Sequence, residues 1–160
     1  MCEMNTLLVL VGKTNDPRMI SLMEEYSKRI KRYHNLDIQI VPELKNKGKI
    51  SAKTQKEKEG ALILEKLKAG DWVILLDEKG KGFNSIDFSK YINTRRSGSH
   101  KRIVFVIGGP YGFSEEIYAR GKEKIALSSM TFSHQMIRVF FLEQLYRANT
   151  LLNNEPYHHK

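Results

Sequence analysis

Residues 102–112, RIVFVIGGPYG, decide the fold. Between Arg102 and Ile107 every interior position is apolar, the pattern of a strand buried on both faces, as in a parallel sheet covered by helices. The run stops at Gly108-Gly109-Pro110-Tyr111-Gly112. Paired glycines at the end of a buried strand let backbone approach a ligand or another chain segment closely, and a tight strand-to-helix turn would use the same residues.

Similar signals flank this stretch. Thr6 to Gly12 (TLLVLVG) predicts a buried strand, and Asn15, Asp16 and Pro17 after it can open a helix. Met19, Met23, Tyr26, Ile30 and Tyr33 recur at steps of three and four, the signature of an amphipathic helix. Leu36, Ile38 and Ile40 alternate with polar residues and predict a second strand. A helix is expected from Ser51 or Thr54, because Thr54 and Glu57 have capping-box spacing, running to Gly70. Trp72 to Leu76 predicts a third strand, ending at Asp77 and a glycine-spaced loop, Gly80-Lys81-Gly82, followed by a short helix from Ser85 to Thr94. Ser114, with Glu115 and Glu116 behind it, marks another helix start. A short strand-like stretch, Ile125 to Leu127, and a polar run precede a last helix from Ser133 to Asn153. That helix is apolar around most of its circumference, more than one small sheet can cover, which predicts a subunit interface. Alternating strands and helices define a single α/β domain with a mostly parallel sheet flanked by helices. Ligands of such sheets bind outside the carboxyl ends of the strands, which points to the loops 77–82, 108–113 and 128–133.

The chain has 160 residues, one domain's worth on the scale of about 150 residues per domain. With 41% hydrophobic and 28% charged residues it is a folding globular composition. Its 27 Lys and Arg against 18 Asp and Glu give a net charge of +9, which favours a polyanionic partner, nucleic acid first. The basic residues concentrate in 43–58, read as a mobile loop carrying Lys45, Lys47 and Lys49, and recur at Arg95, Arg96, Lys101 and Arg102. Cys2, the single cysteine, offers no internal disulfide, and apolar runs of at most five residues are too short for a membrane span or signal peptide, so a cytoplasmic location is expected. Gly12-Lys13-Thr14 lacks the upstream glycine of a phosphate loop, and no GxGxxG occurs. His34, His100, His134, His158 and His159 have no metal-ligand spacing, so no metal is expected. No Ser-His-Asp or paired-carboxylate arrangement supports a hydrolase.

Five motifs in order resemble the bacterial ribosomal large subunit pseudouridine methyltransferase H family, of the SPOUT superfamily. They are Leu75-Leu76-Asp77; Ile107 to Gly112; Leu127-Ser128-Ser129-Met130-Thr131-Phe132-Ser133-His134; Ile137-Arg138-Val139 with Glu143 to Ala148; and Pro156-Tyr157-His158. The resemblance covers the whole chain. Ser133 stands where many members have proline, and His159 is an extra residue before the terminal Lys160.

The resemblance implies an S-adenosylmethionine-dependent enzyme that methylates N3 of a pseudouridine in 23S rRNA, in a large-subunit stem-loop near the decoding centre. It also implies a C-terminal trefoil knot and a homodimer that completes each site. On this reading the cofactor lies on Leu76, Gly108 and the run Leu127, Ser128, Ser129, Met130, Thr131 and Phe132, whose irregular backbone can hydrogen-bond an adenine edge. The neutral N3 imide must lose a proton before it attacks, and His158, Tyr157, His134 and Arg138 are the candidates to manage it. Structural roles stand beside two of these: a helix-start hydrogen bond for His134, and, for Arg138, an interface ion pair with Glu143 or its partner-subunit copy. The tail from Tyr157 to Lys160 is expected to be mobile until RNA arrives, because Pro156 prevents the helix from continuing. Two other readings use the same composition: a non-catalytic ribosome-associated RNA-binding protein, and a knotted methyltransferase acting on tRNA.

Overall fold

A computed structural model describes residues 5–46 and 48–159; Cys2, Lys47 and Lys160 fall outside the described residues. The apolar runs become the strands β1 (Asn5–Val11), β2 (Asn35–Val41), β3 (Asp71–Gly82), β4 (Arg102–Ile107) and β5 (Glu123–Ala126), ordered β2-β1-β4-β3-β5 with every neighbouring pair parallel. Parallel neighbours need crossovers, which are supplied by α1 (Pro17–Ile30), α2 (Ala52–Leu64), α3 (Ser85–Arg96) and α4 (Glu115–Arg120); α5 (Met136–Leu152) follows the last strand.

Strand alternation sorts the core into two layers. Leu8, Leu10, Ile74, Ile103, Phe105 and Ile107 face α1, α3 and α5, whereas Leu7, Val9, Val73, Leu75, Val104 and Val106 face α2 and α4. This accounts for the unbroken apolar character of β1 and β4, since both of their faces are covered.

Three boundaries differ from expectation. Segment 77–82 is a continuation of β3, not a loop: Leu76 and Lys81 both register with Ile125, so the strand bulges between them and Gly82 pairs with Ala126. A Cβ on Gly80 would lie 2.5 Å from the Ile125 nitrogen, and only glycine lets the bulge close on β5. The second helix is capped by Ser51, whose Oγ accepts from the Thr54 amide at 3.1 Å, and its regular part ends at Leu64, short of Gly70. The last helix begins at Met136, with the Ser133 Oγ accepting from the Met136 amide at 3.2 Å.

The wide apolar circumference of α5 finds most of its cover within the chain. Phe141, Leu142 and Leu145 are fully buried, Phe141 lies against Phe105 with ring centroids 4.8 Å apart, and α1 and α3 pack on either side. Met136 and Phe140 remain exposed near its amino end.

Candidate active site

The bulge of β3 and the carboxyl end of β4, together with the chain leaving β5, surround a cleft of about 370 Å³. That is within the usual range for a small-molecule site, about 300–1,000 Å³. Leu76, Gly108, Leu127, Ser128, Met130, Thr131 and Phe132 all line it, as do Asp77, Tyr111, Tyr118, His134 and Ile137; Ser129 is exposed beside them.

On one wall the turn after β4 folds back on itself. Gly109 and Gly112 form an antiparallel bridge, the Gly112 amide donates to the Gly109 carbonyl at 3.2 Å, and Gly112 adopts φ +80°, which favours glycine. A Cβ on Gly108 would lie 2.9 Å from the buried Phe113 ring, so the backbone there sits flush with the wall.

The opposite wall is the run 127–133, in neither helix nor strand. Ser128 Oγ accepts from the Met130 amide at 2.9 Å and shapes the first bend. Phe132 packs on Phe140 with centroids 4.8 Å apart, and Met130 stands 74% exposed over the opening. Apolar walls at Leu76, Leu127 and Phe132 with main-chain polar groups between them fit the base and sugar of a nucleoside-like ligand.

The pairing of Asp77 with Tyr118 escaped the sequence reading, which marked Asp77 as part of a motif and passed over Tyr118. The Tyr118 phenol donates to Asp77 Oδ2, and Asp77 Oδ1 accepts from the Lys79 amide at 2.8 Å, which holds the bulge of β3. Burial, then the bond to Asp77, pushes the Tyr118 phenol up to about 12. Only the position of Asp77 at the end of an apolar run could have signalled this pair.

The four candidates for proton handling are not gathered in one place within the chain. His134 lines the cleft. Arg138 is fully buried and turned away: Nη2 donates to the Val11 carbonyl at 2.6 Å, and Nη1 to the Gly12 carbonyl and Thr14 Oγ1, each at 2.9 Å. Burial lowers its pKa from the ordinary arginine value. Within the chain Arg138 makes no ion pair with Glu143, one of the two alternatives to a catalytic role; Glu143 pairs with Arg147.

Tyr157 and His158 lie outside the cleft of their own chain, and the tail is docked where mobility was expected. The Tyr157 ring meets Tyr146 edge-on at 4.8 Å, the Arg147 guanidinium lies 4.7 Å from its centroid, and its hydroxyl donates to Glu143 Oε1 at 3.1 Å. His158 Nδ1 is 3.5 Å from Arg147 Nη1, and Tyr33 donates to Glu155 Oε2 at 2.7 Å. Tyr146 of α5 and Tyr33, in the turn after α1, provide this bed, a long-range match that no local pattern announces.

The basic residues separate into two groups. Lys45 and Lys49 are exposed on the segment before α2, and Lys47 lies outside the described residues. Arg95 and Arg96 are engaged inward: Arg95 pairs with Glu123, its Nε donating to Oε2 at 2.7 Å, and Arg96 donates to the buried Asn149 side chain. Arg102 likewise pairs with the buried Asp71 at 2.7 Å. Arginines already held by internal acceptors offer little to a phosphate. Among the described residues, no group of three or more His, Cys, Asp or Glu is arranged to hold a metal ion, and no helix is long and apolar enough to cross a membrane.

Comparison with known proteins agrees with this geometry. Two solved structures share the fold: a probable methylase family protein from Haemophilus influenzae (TM-score 0.54, 12% identity, covering 96% of this chain and 68% of that one) and a probable methyltransferase from Bordetella pertussis (TM-score 0.54, 9% identity, covering 91% and 95%). A family model described as "Predicted SPOUT methyltransferase" matches residues 4–158. The ribosomal RNA large subunit methyltransferase H of Flavobacterium johnsoniae is 52% identical over 157 residues, covering 98% of this chain and 100% of that protein. The protein of the same name from Parabacteroides distasonis is 52% identical over 153 residues, covering 96% and 98%. With so high an identity over both full lengths, and a family model spanning the same residues, the chain belongs to the ribosomal RNA large subunit methyltransferase H family of SPOUT methyltransferases.

Proposed function

We propose that this chain methylates N3 of a pseudouridine in large-subunit ribosomal RNA, with S-adenosylmethionine seated in the cleft between the Gly108 turn and the run 127–132. The observation that carries this reading is that cleft: seven of the eight residues expected to hold the cofactor line it, at the carboxyl edge of a parallel sheet. S-adenosylmethionine supplies an already activated methyl group. What remains for the chain is to align the two reactants and to manage one proton.

Leu76, Leu127 and Phe132 would hold the apolar parts of the cofactor, and the backbone of 127–132 its polar edge. His134, on the wall, and His158, on the tail, are the side chains of the right type to take the N3 proton. Tyr157 is suited to donate a hydrogen bond: burial, then a bond with Tyr26, pushes its phenol well above the ordinary tyrosine range. Arg138 supports the site from behind by tying α5 to the end of β1.

Because the tail packs on α5 and not on its own cleft, it would serve the cleft of a second copy in a homodimer, with the exposed Met136 and Phe140 near the join. The C-terminal trefoil knot and a cytoplasmic location belong to the same reading. Lys45, Lys47 and Lys49 would grip phosphate without reading sequence.

Calorimetric titration with S-adenosylmethionine tests the proposal against a purely RNA-binding role. Binding is expected for the native chain. Gly108→Val, whose branched side chain runs into Phe113, should weaken it about tenfold or more. A native chain that binds rRNA but no cofactor would contradict the proposal.

A further inference from the structure

Against the Gly109 turn, and outside the lining of the cleft, lies the carboxyl group of a buried glutamate. Glu59 of α2 is only 4% exposed, and its Oε2 and Oε1 lie 2.8 and 3.1 Å from where a Cβ on Gly109 would stand. Gln55, one helical turn earlier and equally buried, donates from Nε2 to Glu59 Oε1 at 2.9 Å and fixes the orientation of the carboxylate. The next residue, Gly60, packs directly on the Ser114 hydroxyl that caps α4. The helix thus abuts both ends of the segment 109–114.

A buried carboxylate is costly unless its oxygens are matched by donors, and an apolar residue would fill the same space without that cost. Gln55 supplies one such donor, and the carboxyl group lies against main chain that forms one wall of the cleft. We infer that Glu59 is a positioning residue for the methyl transfer: its carboxylate, oriented by Gln55, braces the Gly109 turn in the shape that receives the cofactor. Glu59 does not line the cleft itself and acts only through Gly109. The inference rests on the proposed cofactor site but concerns a feature of the ligand-free protein, which keeps the two separately testable.

The experiment uses the full chain and four variants: Glu59→Gln, Glu59→Asp, Gly109→Ala, and Glu59→Asp combined with Gly109→Ala. Amide hydrogen exchange without ligand should be roughly tenfold faster at 109–112 in Glu59→Gln, with the strands unchanged. The KM for S-adenosylmethionine should rise about tenfold, with the KM for ribosomal RNA and the melting temperature near native. Gly109→Ala should also weaken cofactor binding, because its Cβ meets the carboxylate, and the shorter aspartate side chain of Glu59→Asp should recover part of that loss in the double variant. Should Glu59→Gln fail to fold, Gln55→Met removes only the orienting donor and should accelerate exchange at the same amides. Native exchange at 109–112 in the variant, losses that simply multiply in the double variant, or equal changes in both KM values would overturn the inference. A native chain that binds no S-adenosylmethionine would overturn the proposed function, while exchange alone would still decide the role of Glu59.

Discussion

Arg138 closes on Gly12 across 126 residues of sequence: its buried Nη1 donates to the Gly12 carbonyl at 2.9 Å, while Nη2 takes the Val11 carbonyl. The first turn of α5, and with it the wall of the cleft at His134 and Ile137, is thereby fixed to the end of β1. Arg138→Met should cost about 2–4 kcal/mol of stability, because it leaves buried carbonyls without donors. Urea unfolding measures this. A change under about 0.5 kcal/mol would show that the clamp is dispensable.

His34 predicts how stability responds to acid. It is buried with Thr6 and Asn149 as neighbours, and burial first, then the charge of Arg96, lowers its pKa to about 4 from the ordinary 6.5. Between those values the unfolded chain binds more protons than the folded one. The stabilisation is therefore complete above pH 6.5 and is lost as pH falls toward 4, on the order of 3 kcal/mol in all. Denaturant melts at several pH values should show this slope, and His34→Gln should flatten it; an unchanged slope would assign the acid sensitivity to other groups.

Most of the fold was legible because its signals are local. The two-sided burial of β4 is written in Ile103 to Ile107, and the start of α4 in a single capping residue, Ser114. The same is true of the cleft, whose walls come from two short motifs. What was not legible depends on partners distant in sequence. Arg138 reads as a proton-handling or ion-paired residue and Arg96 as an RNA-binding one until Gly12 and Asn149 arrive beside them, and the tail looks loose until Tyr146 and Arg147 receive Tyr157. The bulge of β3 hides for a related reason, since Gly80 reads as a turn residue unless β5 is known to press against it.

Lys45 and Lys49, exposed on the segment leading into α2, should supply affinity for RNA through phosphates. Replacing both with Gln should reduce the slope of log K against log salt by about 2 units, close to one per lost contact. Replacing Arg95 with Gln should leave that slope unchanged, because its guanidinium is held by Glu123. Filter binding across a salt series checks both, and an unaltered slope in the lysine variant would place the RNA elsewhere.

Truncation after Pro156 separates docking from chemistry. Losing the ring contact to Tyr146 and the hydrogen bond to Glu143 should lower stability by about 1–2 kcal/mol. Cofactor affinity should hold, and methylation should fall by about a hundredfold or more, the usual scale of a proton-transfer group. Native turnover by the truncated chain would leave His134 as the remaining candidate.

The most direct measurement is nucleoside-resolved mass spectrometry of ribosomal RNA after incubating ribosomes that lack this modification with the protein and methyl-labelled S-adenosylmethionine. Label is expected on N3 of a pseudouridine in the large-subunit RNA. Ribosomal RNA without label, or label appearing on tRNA instead, would contradict that expectation.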